Sequence, residues 1–118
     1  MSSLSRRKKA IHHWFSLGHR RCRYCHCQLV YNDGQKNTAS AEHLVSKSQG
    51  GTEALVNLIV VCTSCNTKRQ NKDFTDFVKG LPLEDWLLKK YAEAVGFYIK
   101  SGKKISINKK KVKKLLTT

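Results

Sequence analysis

The residues best suited to chemistry stand close together in the first half of the chain. Two Cys-x2-Cys pairs, Cys22 with Cys25 and Cys62 with Cys65, flank a Glu42-His43 pair, a Gly50-Gly51 turn and Asn57, and the second pair runs directly into Asn66. Four thiolates from two such knuckles match a closed tetrahedral structural zinc site, which leaves no position open for substrate. Cys27, His26 and His19 stand nearby as substitute ligands, each of which would break the symmetry of the two pairs. The sulfurs would staple rather than react. A histidine beside a carboxylate, held between the staples, is a different matter. An imidazole of pKa ~6.5 is mostly neutral at working pH and can take a proton from water. A hard carboxylate oxygen next to it suits magnesium or manganese, and such an ion stabilises charge on a phosphate and on its departing oxygen. These residue types suit hydrolysis of a phosphodiester.

The stretch Ala41-Glu42-His43-Leu44-Val45-Ser46-Lys47-Ser48-Gln49-Gly50-Gly51, followed by Asn57-Leu58-Ile59-Val60-Val61-Cys62 and by Cys65-Asn66-Thr67-Lys68, resembles the zinc-clamped branch of the HNH endonuclease family. The resemblance covers residues 22–72, under half of the chain. It implies an α+β fold: a small ββα-metal finger, two antiparallel strands and a helix gripping one divalent ion, stapled by a four-cysteine zinc site and flanked by helices. Carried over residue by residue, His43 matches the general base, and Glu42 and Asn66 match the ligands of a catalytic Mg2+ or Mn2+. Asn57 matches the middle asparagine, which orients the loop and the base through hydrogen bonds. The triplet therefore reads His-Asn-Asn. Glu42 departs from the more frequent Asp and reaches one methylene further, which leaves the preferred ion open.

The count of carboxylates separates two mechanisms. Two-metal nucleases need several acids converging on ions about 4 Å apart. Glu42 is the only acid within the motif, whereas Asp33, Glu53, Asp73 and Asp76 fall in turns or on the helix beyond it. A one-metal, histidine-base mechanism follows.

Charge points to the partner. The 118 residues carry 23 Lys and Arg against 8 acids, a formal charge of +15, and so lopsided a balance is best tolerated beside a polyanion. DNA is the expected partner, with RNA as the alternative because nothing here reads a 2′-hydroxyl. Lys47, Lys68, Arg69 and Lys72 lie beside the motif as expected phosphate contacts, and Arg6 to Lys9 with the C-terminal lysines would add salt-sensitive affinity. Contacts of that kind carry little sequence information, so low specificity is expected, and one active site per monomer implies nicking, with double-strand breaks needing a dimer or two visits. A non-catalytic, zinc-stapled DNA- or RNA-binding module stays open as the competing function. No basic segment carries a strong exposed apolar face, which argues against a membrane partner. The apolar run Leu58 to Cys62 is too short to span a bilayer, and no signal segment is recognised. Zinc thiolates and the absence of a disulfide pattern suggest a reducing, cytoplasmic setting. A bacterial or phage-infected cell, a monomer or homodimer, and phage or mobile-element partner proteins complete the expectation.

A chain of this length buries about two thirds of its unfolded surface, so a single domain with a metal staple is predicted. Its parts are a basic N-terminal helix (1–19), the core with the zinc site (20–80), and a C-terminal helix with a basic tail (81–118). The first helix spans 4–17, placing Leu4, Ile11, Trp14 and Phe15 on one face and Arg6 to Lys9 on the other, and Gly18 ends it. Strands are predicted at 28–31, 39–45 and 58–61, with a turn at Asn32-Asp33-Gly34. A helix over 65–78 is capped by Gly80, and another opens at Pro82 with Leu83, Trp86, Leu87, Ala94 and Val95 at helical spacing. Trp14 and Trp86 read as core residues, and the adjacent His12 and His13 cannot share a helix face and read as surface. From Lys100 onward the chain reads as a basic tail of the kind that orders on binding.

Overall fold

A computed structural model describes residues 6–30, 37–81 and 83–117. The predictions for Leu4, for Tyr31 to Asp33 and Gly34, and for Pro82 fall outside the described residues. The order is α1 (Arg6–Ser16), β1 (Ala39–His43), β2 (Leu58–Cys62), α2 (Thr63–Arg69), α3 (Phe74–Phe77), α4 (Asp85–Ser101) and α5 (Lys109–Leu116). The fold is therefore α+β, with one antiparallel pair of strands surrounded by helices.

β1 and β2 pair from Ala39 opposite Cys62 to His43 opposite Leu58. All five residues of β2 are buried, as its continuous β-branched run implies for a strand covered on both faces. α1 lies against both strands and buries Ala10 and Trp14, while α4 buries Leu87, Tyr91, Ala94, Val95 and Tyr98 along one stripe. Phe74 of α3 stacks on Tyr91 at 4.2 Å between ring centroids. Among the described residues, no helix is long and apolar enough to cross a membrane.

Four elements differ from the expectation. Within the segment predicted as a strand, the described residues 28–30 form only single bridges, Arg21 with Gln28 and Val30 with Thr38. β1 ends at His43 rather than Val45 because the amide of Asn57 takes over the Val45 backbone. The single helix expected over 65–78 is two short helices. Arg69 Nε donates to the Lys72 carbonyl at 2.7 Å, Gln70 adopts φ +48°, and Asp73 begins α3 by accepting from Thr75 N at 3.0 Å. The C-terminal segment is a docked helix rather than a free tail. Asn108 caps α5 by accepting from Lys111 N at 3.0 Å, Val112 is buried, and Lys111 pairs with Asp76 at 3.1 Å. Trp86 also departs from a core role, being 37% exposed with its ring edge-on to buried Trp14.

Candidate active site

Both knuckles deliver their sulfurs to one place. The ligand atoms of Cys22, Cys25, Cys62 and Cys65 all lie within 4.8 Å of one another. Two of these sulfurs already accept backbone N–H groups: Cys22 Sγ from Tyr24 and Cys25 at 3.4 and 3.5 Å, and Cys62 Sγ from Cys65 at 3.4 Å. Four sulfurs converging from two Cys-x2-Cys knuckles fit a cation such as zinc. Cys62 is also the residue that ends β2 and caps α2, which couples the staple directly to the finger. None of the substitute ligands belongs to the four-sulfur group. Cys27 lies beside it with its thiol against Cys25 and Cys62, His26 pairs with Glu84 at 3.4 Å, and His19 packs between Trp14 and Trp86.

Asn57 is wholly buried and holds the loop between the strands from inside. Its Oδ1 accepts from Val45 N at 2.8 Å, and its Nδ2 donates to the carbonyls of Val45 and Thr52 at 3.0 and 2.9 Å. The backbone adds Leu44 N to Asn57 O at 2.8 Å. This network fixes the chain immediately after His43. Gly51 is required for it, since a Cβ there would stand 1.8 Å from the Val45 carbonyl oxygen.

Glu42, His43 and Asn66 line one pocket of about 120 Å³ together with Arg7, Ser46, Lys47, Gln70 and Asn71. Glu42 Oε1 accepts from His43 N at 3.1 Å and lies 3.7 Å from Arg69 Nη1. Its Oε2 and His43 Nε2 are enclosed and have no hydrogen-bond partner among the described residues. Asn66 Nδ2 donates to Ser40 Oγ at 2.6 Å, which orients the amide from α2 across to β1. Burial raises the Glu42 carboxyl to about 7 even against the attraction of Arg69. Burial, with the like charges of Arg7 and Lys47, lowers His43 to about 4. His43 is thus neutral and able to accept a proton. A buried, unpartnered carboxylate oxygen is costly unless a cation or donor meets it, so the residues fit a divalent ion held by Glu42 and Asn66.

Arg69 is not an exposed phosphate contact. It is fully buried. Its Nη1 donates to the His43 carbonyl at 2.6 Å and to Tyr24 Oη at 3.1 Å, and its Nη2 donates to the Leu44 carbonyl at 3.0 Å. The guanidinium also lies 5.8 Å from the Phe74 ring centroid. One side chain therefore ties the end of α2 to the end of β1, the first knuckle and α3. A planar fork with five donors can serve all these acceptors, and no other side chain can. Arg69→Met should lower stability by ~3–5 kcal/mol, because it leaves Glu42 without its cation and the carbonyls of His43, Leu44 and Lys72 without donors. Urea unfolding of the zinc-loaded variant measures this, and a loss under ~1 kcal/mol would refute the central role.

The remaining basic residues divide. Lys47 is exposed at the pocket rim, 3.4 Å from Glu53. Lys68 and Lys72 are exposed but do not line the pocket. Arg7, which the sequence offers only as one of four cations on α1, does line it. Ser46, Gln70 and Asn71 were likewise not among the expected site residues. For Gln70 and Asn71 no pattern could have signalled this, since they reach the pocket only because the helix breaks after Arg69.

Residues 22–72 match the model of the family described as HNH endonuclease. The match runs from the first knuckle to the turn after α2. Proteins of this family are endonucleases that act on DNA with divalent metals. No curated protein and no solved structure matches the chain.

Proposed function

We propose that the chain hydrolyses DNA phosphodiester bonds by a one-metal mechanism with His43 as general base. What supports this most is the meeting of two enclosed, unpartnered atoms, Glu42 Oε2 and His43 Nε2, with Asn66 in a single pocket. His43 takes the proton from the attacking water, a task its neutral imidazole suits. Asn57 positions it by fixing the backbone at Leu44 and Val45. Glu42 and Asn66 would hold a Mg2+ or Mn2+ ion, which when bound would supply positive charge at the scissile phosphate and the departing oxygen. Lys47 at the rim, with Lys68 and Lys72 further out, steadies neighbouring phosphates without reading bases. A monomer has one such site, so it nicks one strand at a time.

Asn66→Ala tests the ligand assignment. The Mn2+ concentration giving half-maximal cleavage of a duplex oligonucleotide should rise by at least ~10-fold, at unchanged zinc content. An unchanged requirement would remove Asn66 from the ion. A wild type that binds DNA but leaves it uncut with every divalent ion would instead be a binding module.

A further inference from the structure

We propose that Arg7 and Lys47 form a seat for a nucleic-acid backbone phosphate beside the one that is cut, and that Glu53 fills this seat in the free protein as an internal competitor. The ligand's identity rests on the nucleic-acid reading above. To Lys47, which that reading already places on a neighbouring phosphate, the seat adds Arg7 and the carboxylate the two cations share.

One carboxylate oxygen, Glu53 Oε1, receives both cations, Arg7 Nε at 2.8 Å and Lys47 Nζ at 3.4 Å. The two come from distant parts of the chain, the first turn of α1 and the short turn Lys47–Gln49. Both also line the pocket that holds Glu42 and His43, each more than nine-tenths buried and each with an unpartnered atom. Glu53 in turn lines a second cavity with Arg6, Lys9 and Leu55. Cations thus continue from the candidate active site past Glu53 along α1, in the manner of a track for successive phosphates.

The charge arrangement is poorly suited to stability alone. The first turn of α1 holds Arg6, Arg7, Lys8 and Lys9 and no acid, so cations crowd the positive end of the helix dipole. Such a cost is offset when an anion docks there. Carboxylate and phosphate present similar oxygens to an arginine fork, and exposed ion pairs are weak enough for a polyanion to displace. Against a small desolvation, Arg7 and Lys47 hold the Glu53 carboxyl below its usual range. Glu53 therefore competes as an anion throughout the working pH range.

The test is fluorescence anisotropy of a labelled DNA duplex in metal-depleted buffer, with zinc-loaded wild type and variants. Glu53→Gln should tighten binding about fivefold more than Glu93→Gln, which removes the same charge from an exposed position on α4. The gain should fall to the Glu93→Gln level when Arg7→Gln and Lys47→Gln form the background, as a coupled set requires. A gain no larger than that control, a gain that survives loss of both cations, or no DNA binding by any variant would overturn the proposal. Cleavage is not measured. A protein that shows the coupled gain but never cuts keeps the seat and loses the nuclease reading.

Discussion

His43→Ala should reduce metal-dependent cleavage of a duplex oligonucleotide by ~10²- to 10⁴-fold, the usual contribution of a positioned general base, while zinc content and DNA affinity stay at wild-type values. Placement is the reason. His43 closes β1, its backbone is held by Arg69 and Asn57, and its ring lines the pocket with Glu42 and Asn66. None of those backbone bonds involves the imidazole, so truncation removes the base and leaves the scaffold. Because burial and neighbouring cations push His43 down to about 4, its base form already dominates at neutral pH. A cleavage rate within threefold of wild type would mean that another group takes the proton.

Removal of zinc should unfold the domain. Metal binding at such sites is worth ~10–16 kcal/mol in small zinc peptides, comparable to or greater than the ~5–15 kcal/mol that holds a domain together. Cys62 carries the coupling, since it ends β2, caps α2 and sits 3.8 Å from Cys25 across the two knuckles. Cys62→Ser should therefore lose helical circular dichroism and bind no zinc, and a strong chelator should do the same to wild type. Retention of the native spectrum after complete zinc loss would show that the apolar core suffices.

Much of the fold was legible because its signals are local. The knuckle spacing, the β-branched run of β2 and the stripe on α4 are patterns that short-range chemistry enforces, and the two strands and the four-sulfur group lie where those patterns put them. Glu42, His43 and Asn66 were legible as a set through their order in the sequence, and the fold brings them to one pocket.

What escaped is tertiary. Arg69 stands among Lys68, Gln70, Asn71 and Lys72 and reads as one more solvated cation. Only the convergence of two strand-end carbonyls, Tyr24 and Glu42 on one point makes it a buried fork. The helix break at Gln70 follows from the same anchoring. The C-terminal lysines likewise hide a contact, because Ser106 exchanges hydrogen bonds with Gln49 through backbone and side chain, at 2.8 and 3.1 Å. That pairing seats residues 103–107 against the loop after β1, and no period in the sequence encodes it. Arg7 entered the pocket in the same way, through the packing of α1 on both strands.

Whether Glu42, His43 and Asn66 form a one-metal phosphodiesterase site is tested most directly with supercoiled plasmid. Zinc-loaded protein is incubated with the plasmid and Mg2+ or Mn2+, beside His43→Ala and a metal-depleted reaction. The expected result is conversion to open circles that requires the added ion and disappears in the variant. A plasmid that is shifted by wild type and variant alike, yet stays supercoiled with every divalent ion, would contradict the assignment.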